Sequence, residues 1–325
     1  MTGRTIPSMS DDRQERDQAQ RDQAQRDQAG RGDRTAVFEE HRERLFGIAY
    51  RMLGSVADAE DLVQDAWLKW SQVDRPVEHP GAYLARTVTN LALNRLSSAA
   101  VQRERYVGPW LPEPLVRAPD VADEIEQAES VSLAMLVVLE SLSPLERAVF
   151  ILREVFGFPH REIAQTLGRS EQAVRQLSRR AASHVAARRP RFDTSEEEQR
   201  QVTAEFLDAC VGGDLHRMLA SLAPDVVLWS DGGGKRSAAL RPIEGADKVA
   251  RWIMGVRERF GPAVAHPAEV NGGPGAVFTV AGEVDSVVAV DVRDGRVVAI
   301  RVVRNPDKLR HVRVSGAADG PRPGR

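Results

Sequence analysis

Only one cysteine, Cys210, occurs in the 325 residues, so no intramolecular disulfide can form and a C-x-x-C zinc site is excluded. No apolar run is long enough to cross a bilayer, and the chain opens without a signal-peptide pattern. Both absences point to a reducing, cytoplasmic setting with no membrane partner. A surplus of either charge is missing as well: 45 Lys and Arg against 47 Asp and Glu leave a formal net charge of −2. That sum disfavours a uniformly basic nucleic-acid binder, but only clustered charge makes an electrostatic footprint, so the local distribution must decide. Nothing in the composition calls for a metal or a cofactor, and none is expected.

A chain of this length suits two or three modules with separate cores, and composition marks the seams. Residues 1–33 are polar and carry the tandem repeat RDQAQ-RDQAQ-RDQAG from Arg16 to Gly30. The repeat has no apolar residue larger than alanine, so burial cannot offset the entropy of ordering it, and a tail without a core is expected. Helical periodicity runs from Thr35 to about Ala100, giving a first module over 34–104. The stretch Tyr106-Val-Gly-Pro-Trp-Leu-Pro-Glu-Pro-Leu115 cannot continue a helix and starts a linker assigned to 105–127. Periodicity returns from about Ile125 to Ala187, a second module over 128–192 that ends at Arg188-Arg-Pro-Arg191. From 196 to 315, a helix-like stretch, Gln201 to Leu222, gives way to alternating β-branched residues broken by glycine. There Val284 to Arg293 and Arg296 to Arg304 flank Asp294-Gly295, the preferred pair for a two-residue hairpin turn. The expected architecture is two all-α modules followed by an α+β domain.

In the first module, Ala59, Leu62, Val63, Ala66, Trp67 and Trp70 fall on one helical stripe, which should be buried. Asp58, Asp61 and Asp65 lie opposite, one turn apart, and concentrate negative charge on the outer face; for an isolated helix, solvation alone would explain such a face. The next helix, roughly Gly81 to Ser97, should bury Leu84, Val88, Leu91, Ala92 and Leu96. Its other face aligns Arg86, Asn90 and Asn94 at i,i+4 spacing, with Arg103 and Arg105 beyond. Arginine and asparagine are side chains that pair with phosphates and base edges.

In the second module, Ser143-Pro144-Leu-Glu146 is a capping box with proline at the first helical position, where a missing N–H costs nothing. Further on, Ala164, Gly168 and Ser170 have helix-turn-helix spacing: a small residue where two helices cross, a glycine for the left-handed turn, and a cap for the second helix. Val174 and Leu177 should pack that helix back on the first, leaving Gln172, Arg175, Gln176, Arg179 and Arg180 on its polar faces. No acidic residue occurs from Gln172 through Phe192, as a DNA footprint requires. A helical hairpin that binds nothing can share the alanine and glycine spacing, but spacing, caps and charge agree independently here.

Two motifs mark the last third. Asp231-Gly232-Gly233-Gly234-Lys235 combines uncovered amides with a cation and could cradle an anion, although its spacing is not a P-loop and a strand-ending turn also explains it. Asn305-Pro306-Asp307-Lys308-Leu309 reads as a strand-ending turn with an Asn-Pro breaker. Catalysis would need a positioned acid or base in an apolar pocket. Asp231, Glu283, Asp285 and His266 are candidates by type, with no means of placing them in a common cavity.

The stretch Asp58-Ala-Glu-Asp-Leu-Val-Gln-Asp65 closely resembles the part of sigma-factor region 2 that docks on the RNA polymerase clamp. Tyr83 to Leu96 resembles the −10-reading part of region 2 in extracytoplasmic-function sigma factors, and Arg161 to Leu177 resembles sigma region 4. The resemblance implies that Asp58, Asp61, Gln64 and Asp65 meet core polymerase, chiefly a basic coiled coil of the β′ subunit, with β also a partner. It implies that Arg86, Asn90, Asn94, Arg95 and Arg103 meet the melted −10 strand of promoter DNA. It assigns the −35 element to Ser170, Gln172, Arg175, Gln176, Arg179 and Arg180, and a course through the polymerase cleft to the linker. The Tyr106–Leu115, Asp231–Lys235 and Asn305–Leu309 motifs together resemble one subgroup, whose C-terminal SnoaL-like domain has the NTF2-like cone fold and is regarded as a built-in regulator. Trp110, Pro112 and Pro114 with the two C-terminal motifs, residues 231–235 and 305–309, are then the expected regulatory interface. A non-enzymatic protein is expected, with a small-molecule ligand in the SnoaL-like domain left open. Two other classes remain at this point: a helix-turn-helix regulator with a ligand-sensing domain, and a SnoaL-like cyclase fused to a DNA-binding module.

Overall fold

The computed structural model describes residues 34–103, 106–117, 131–188, 194–261 and 263–314, without the side chains of 98–103. The N-terminal repeat, the helical start expected at Ile125 and most of the seam after Arg188 lie outside the described residues.

Three helices form the first module: α1 (residues 34–53), α2 (Val56–Ser71) and α3 (Pro80–Arg103). Ser55 starts α2, its side chain accepting from the Asp58 N–H at 3.1 Å, a cap worth about 1 kcal/mol. Ala59, Leu62, Val63, Ala66 and Trp70 are buried as their spacing predicts, while Trp67 is half-buried and sets its ring edge on Phe38, 5.2 Å between centroids. On α3, Leu84, Val88, Ala92 and Leu96 are buried but Leu91 only half so. Thr89, outside the expected apolar set, is fully buried as well, with its hydroxyl returned to the Ala85 carbonyl at 2.7 Å. That bond removes the desolvation cost of the hydroxyl.

The second module contains α4 (Leu133–Glu140), α5 (Pro144–Phe150), a π turn (Ile151–Val155), α6 (His160–Leu167) and α7 (Glu171–Arg188). The capping box at Ser143 and Glu146 is formed. The two helical modules share one continuous core that runs from Phe38 to Val185, rather than the separate cores expected from chain length. Arg147 is buried in that joint and reaches the Met52 carbonyl and Glu140, each at 2.7 Å. Its burial pushes its pKa down to about 10.

The C-terminal third is α+β. The helix expected over Gln201 to Leu222 begins at Glu196, capped by Ser195, and is broken at Gly213, whose φ of 71° ends α8 (Glu196–Gly212) before α9 (Leu215–Ser221). Then follow β2 (Leu222–Asp231), β3 (Ile243–Glu244), α10 (Ala246–Phe260), β4 (Val264–Val270), β5 (Gly273–Val280), β6 (Glu283–Arg293) and β7 (Arg296–Val303). Asp294 and Gly295 make the predicted turn with φ of 52° and 68°.

The sheet has a seventh strand, which comes from outside the domain. The linker residues Val116–Arg117, β1, pair antiparallel with β4, Val116 opposite Val270, and the strand order is β1-β4-β5-β6-β7-β2-β3. Strand alternation divides the sheet into two faces. Ala276, Val288, Val290, Ile300 and Val302 pack under α8, α9 and α10. Val277, Val287, Ala289 and Val303 face the other way, against Leu111 of the linker, Leu133 of α4 and the C-terminal Leu309 and Val312. The C-terminal third is thereby built onto the linker and the second module, not hung from the chain end.

Candidate functional site

Asp61, Gln64 and Asp65 stand exposed on α2, with Asp58 half-buried at its first turn. Leu68, half-exposed at 50%, continues the same stripe. Arg95 of α3 lies over this face, its guanidinium donating to one Asp58 oxygen at 2.6 and 3.0 Å and reaching Asp61 at 3.4 Å. Arg95 was expected among the −10 residues; one step past Asn94 turns it about 100° round the helix, onto the acidic side. Arg86 and Asn94 are exposed and Asn90 half-buried, one turn apart along α3. The Arg103 side chain lies outside the described residues.

Gly168 ends α6 in the left-handed conformation (φ 61°), and Ser170 accepts from the Ala173 N–H at 3.2 Å to start α7. Val174, Ser178, Ala181 and Val185 form the buried side of α7. Gln172, Arg175, Gln176 and Arg179 are exposed along one stripe, with exposed Ser170 at its head. Two of the arginines carry intramolecular partners: Arg175 pairs with Glu171 at 2.6 Å and Arg180 with Glu146 at 3.2 Å, which turns Arg180 toward α5. At exposed positions such pairs contribute at most about 1 kcal/mol and are easily exchanged for a phosphate.

The linker and both C-terminal motifs meet at one buried carboxylate. Asp231, fully buried at the end of β2, accepts from the Tyr106 hydroxyl at 2.5 Å, the Leu111 N–H at 2.8 Å and the Lys308 ammonium at 2.8 Å. Lys308 also reaches the Leu111 carbonyl and sits over the rings of Trp110 (4.1 Å) and Tyr106 (4.9 Å). Asn305 donates to the Tyr106 hydroxyl at 2.8 Å, and Lys235 pairs with Asp307. Burial and the neighbouring Asp231 raise the Tyr106 hydroxyl pKa, so it stays a donor.

Close packing explains the glycines. A Cβ on Gly233 would lie 2.2 Å from the Asn305 amide and 2.9 Å from the Tyr106 hydroxyl. With Lys235 bonded to Asp307, the segment is the strand-ending turn and not an anion cradle. The Asn305–Leu309 motif is a short 3-10 helix, Pro306–Leu309, with Asn305 accepting from the Asp307 N–H at 3.1 Å.

On its other side the linker holds the first module. Glu113, buried between Pro112 and Pro114, accepts from the Val56 N–H at 2.7 Å and the Ser55 hydroxyl at 2.9 Å, and so caps the acidic helix α2. Its own N–H donates to the Gly54 carbonyl at 2.8 Å, where a Cβ on Gly54 would strike Trp110 at 2.7 Å. Asn271, in the β4–β5 turn, bonds Leu115 of the linker and the Tyr50 hydroxyl of α1, and that hydroxyl donates to the Glu113 carbonyl at 2.7 Å. His311 meets the Pro114 carbonyl at 2.8 Å. Glu113, Asn271 and Tyr50 carry no sequence signal of their own; buried polar side chains in a Pro-rich stretch and a hairpin turn are the only hint.

The four residues considered as acids or bases do not share a cavity. Asp231 is taken up by the linker, His266 bonds Thr279 at 2.9 Å, and Glu283 is exposed. Asp285 alone lines the cavity between α8, α10 and the sheet, a space of about 830 Å³ including its open mouth, where it is bound to Arg304.

Residues 37–101 match the family model for Sigma-70 region 2 and residues 132–185 that for Sigma-70, region 4. The chain is 40% identical over 287 residues to the ECF RNA polymerase sigma factor SigJ of Mycobacterium tuberculosis, covering 84% of this chain and 92% of that protein. It is 32% identical over 280 residues to a probable ECF RNA polymerase sigma factor, SigI, of the same species, covering 85% and 94%. Among solved structures, the crystal structure of the M. tuberculosis extracytoplasmic function sigma factor SigJ matches with a TM-score of 0.69 and 37% identity, over 85% of this chain and 98% of that one.

Proposed function

Because the chain belongs to the extracytoplasmic-function sigma factors of RNA polymerase, which direct transcription initiation, we propose how its own residues divide that work. The α2 face of Asp58, Asp61, Gln64 and Asp65 docks on core polymerase at a basic surface of the β′ clamp. Its charge is concentrated, and all but Asp58 are exposed. Arg86, Asn90 and Asn94 contact the opened −10 strand, with Arg103 beyond them. Arg95 instead tunes the docking face by neutralising Asp58 and Asp61 until a stronger cation replaces it. Ser170, Gln172, Arg175, Gln176 and Arg179 read the −35 element from α7, and Arg180 contacts its flanking phosphate.

The single observation that carries the proposal is the pairing of an exposed acidic stripe with an exposed Gln/Arg stripe on opposite modules of one shared core. A helix-turn-helix regulator with a sensor domain has no use for the first stripe. A cyclase would need a free acid or base in the cavity, and Asp285 is committed to Arg304. In vitro transcription with purified core polymerase on a promoter library tests the whole assignment: specific initiation requires both stripes, and DNA binding without polymerase does not replace it.

Residues 34–104, 105–127, 128–192 and 196–315 serve as region 2, linker, region 4 and SnoaL-like regulator. The regulator acts in cis by holding the linker. Residues 106–117 cannot at once pair with β4, bond Asp231 and run through the polymerase cleft, so clamping and a polymerase-bound course exclude each other. The cavity of the regulator is the place for a small-molecule ligand. The work is done in the cytoplasm, where the polymerase is.

A further inference from the structure

The cavity beneath α8 and α10 has aromatic walls, Phe206, Trp252, Phe260 and Phe278, and one polar end. A β-bulge makes that end. Phe278 pairs with Ser286 but Thr279 with Val284, which leaves Asp285 unpaired. In regular alternation Asp285 would join Val287 on the opposite face; the extra residue re-aims it into the cavity. There Arg304, its side chain only 3% exposed, donates to both Asp285 oxygens at 2.8 and 3.2 Å and lies 4.8 Å over the Phe260 ring.

These two charges cancel. An anionic ligand would have to displace Asp285 and a cationic one Arg304, each leaving a buried ion without its partner. What remains for a ligand is the spare acceptor capacity of Asp285 and the Ser286 hydroxyl. Arg304 also belongs to the linker clamp. Its N–H donates to the Asp231 carbonyl at 2.7 Å, its guanidinium donates to the Ser237 carbonyl at 2.7 Å just past the glycine turn, and its neighbour Asn305 holds Tyr106.

We propose that this cavity binds a neutral, flat, largely apolar molecule whose one N–H or O–H donor meets Asp285, and that its occupancy tightens the clamp on the linker. The first half deepens the ligand site proposed for this cavity, and the second rests on the regulatory role assigned above. By linkage, loosening the clamp must weaken the ligand by the same factor that the ligand strengthens the clamp.

The test titrates the full chain with N-phenyl-1-naphthylamine, a neutral aromatic amine, and in parallel with 8-anilinonaphthalene-1-sulfonate, the same skeleton bearing a sulfonate, following probe fluorescence. One saturable site per chain is expected, at least about tenfold tighter for the neutral probe. Asp285→Asn leaves Arg304 unbalanced and should shift the preference toward the sulfonate. Cys210→Phe, filling the cavity from α8, should abolish binding, with near-ultraviolet circular dichroism confirming the fold. Asp231→Asn lies outside the cavity lining and should weaken the neutral probe about fivefold, the lower range of ordinary coupling. Equal affinity for both probes, or a preference that Asp285→Asn does not move, overturns the ligand class. Unchanged affinity in Asp231→Asn overturns the coupling. No polymerase is present in these titrations, so their failure is distinct from failure of the promoter assignments, which are read on DNA.

Discussion

Replacing Asp231 by asparagine isolates the charge that holds the linker. The asparagine oxygen can still accept from the Leu111 N–H and from Lys308, and its amide can donate to Tyr106, whose hydroxyl already accepts from Asn305 at 2.8 Å. The Leu111 and Lys308 bonds survive, the Tyr106 O–H loses its acceptor, and the main loss is the counter-ion of Lys308, whose side chain is 7% exposed beside a fully buried Asp231. Breaking a buried ion pair from one side costs about 3–5 kcal/mol, and because the bonds to Leu111 and Lys308 survive, the lower end, about 3 kcal/mol, is expected. The loss falls on the linker clamp and not on the shared helical core. Amide hydrogen exchange reads it locally: about 3 kcal/mol corresponds to roughly hundred-fold faster opening of residues 106–117, while α5 and α7 exchange as before. Adding Lys308→Met should recover a part of the loss, since the stranded cation is then gone. If exchange over 106–117 changes by less than about threefold, or the helices open equally, the electrostatic account of the clamp is wrong.

Three further outcomes follow from the same geometry. Asp61→Arg with Asp65→Arg should abolish binding to core polymerase in a pull-down while changing stability by no more than about 0.5 kcal/mol each, since both sites are exposed; retained affinity removes α2 as the docking face. Arg175→Ala and Arg179→Ala should lower transcription from −35-dependent promoters, by about 1–3 kcal/mol for a base contact or as a shallower salt dependence for a phosphate contact; normal footprints and transcription at every salt concentration would misplace the recognition helix. Burial pushes the Cys210 thiol up to about 12, so at pH 8 the smaller thiolate fraction should make iodoacetamide modify the native chain on the order of a thousand-fold more slowly than the unfolded one; comparable rates would mean that the cavity wall opens freely.

The helical modules were legible because their signals are local. Apolar residues at 59, 62, 63, 66 and 70, the Ser143–Glu146 box, and the Gly168–Ser170 turn each act within a few residues, and the structure realises all of them. The hairpin at Asp294-Gly295 was legible for the same reason. What the sequence could not show depends on partners far along the chain. β1 is two residues long and pairs with a strand about 150 positions away, so no alternation announces it. Glu113 looks like a solvated linker acid until α2 is seen to start on it. Arg95 differs from Asn94 only by its angle around a helix, and Asp285 from its neighbours only by a bulge. The candidate site residues were thus identified by type, while the clamp that joins three of the motifs was visible only as a set of motifs with unassigned geometry.

The edge strand also orders events in time. Residues 116 and 117 are synthesised long before Val270, the residue opposite Val116 in the sheet. At about 5–20 residues per second, roughly 10–30 s separate the two on a translating ribosome. When the second helical module is completed at Arg188, the linker still has no strand to pair with and no Asp231 to bond. Each newly made molecule therefore passes through a stage in which both helical modules exist ahead of the clamp on their linker, and chain order alone makes that clamp the last part to arrive.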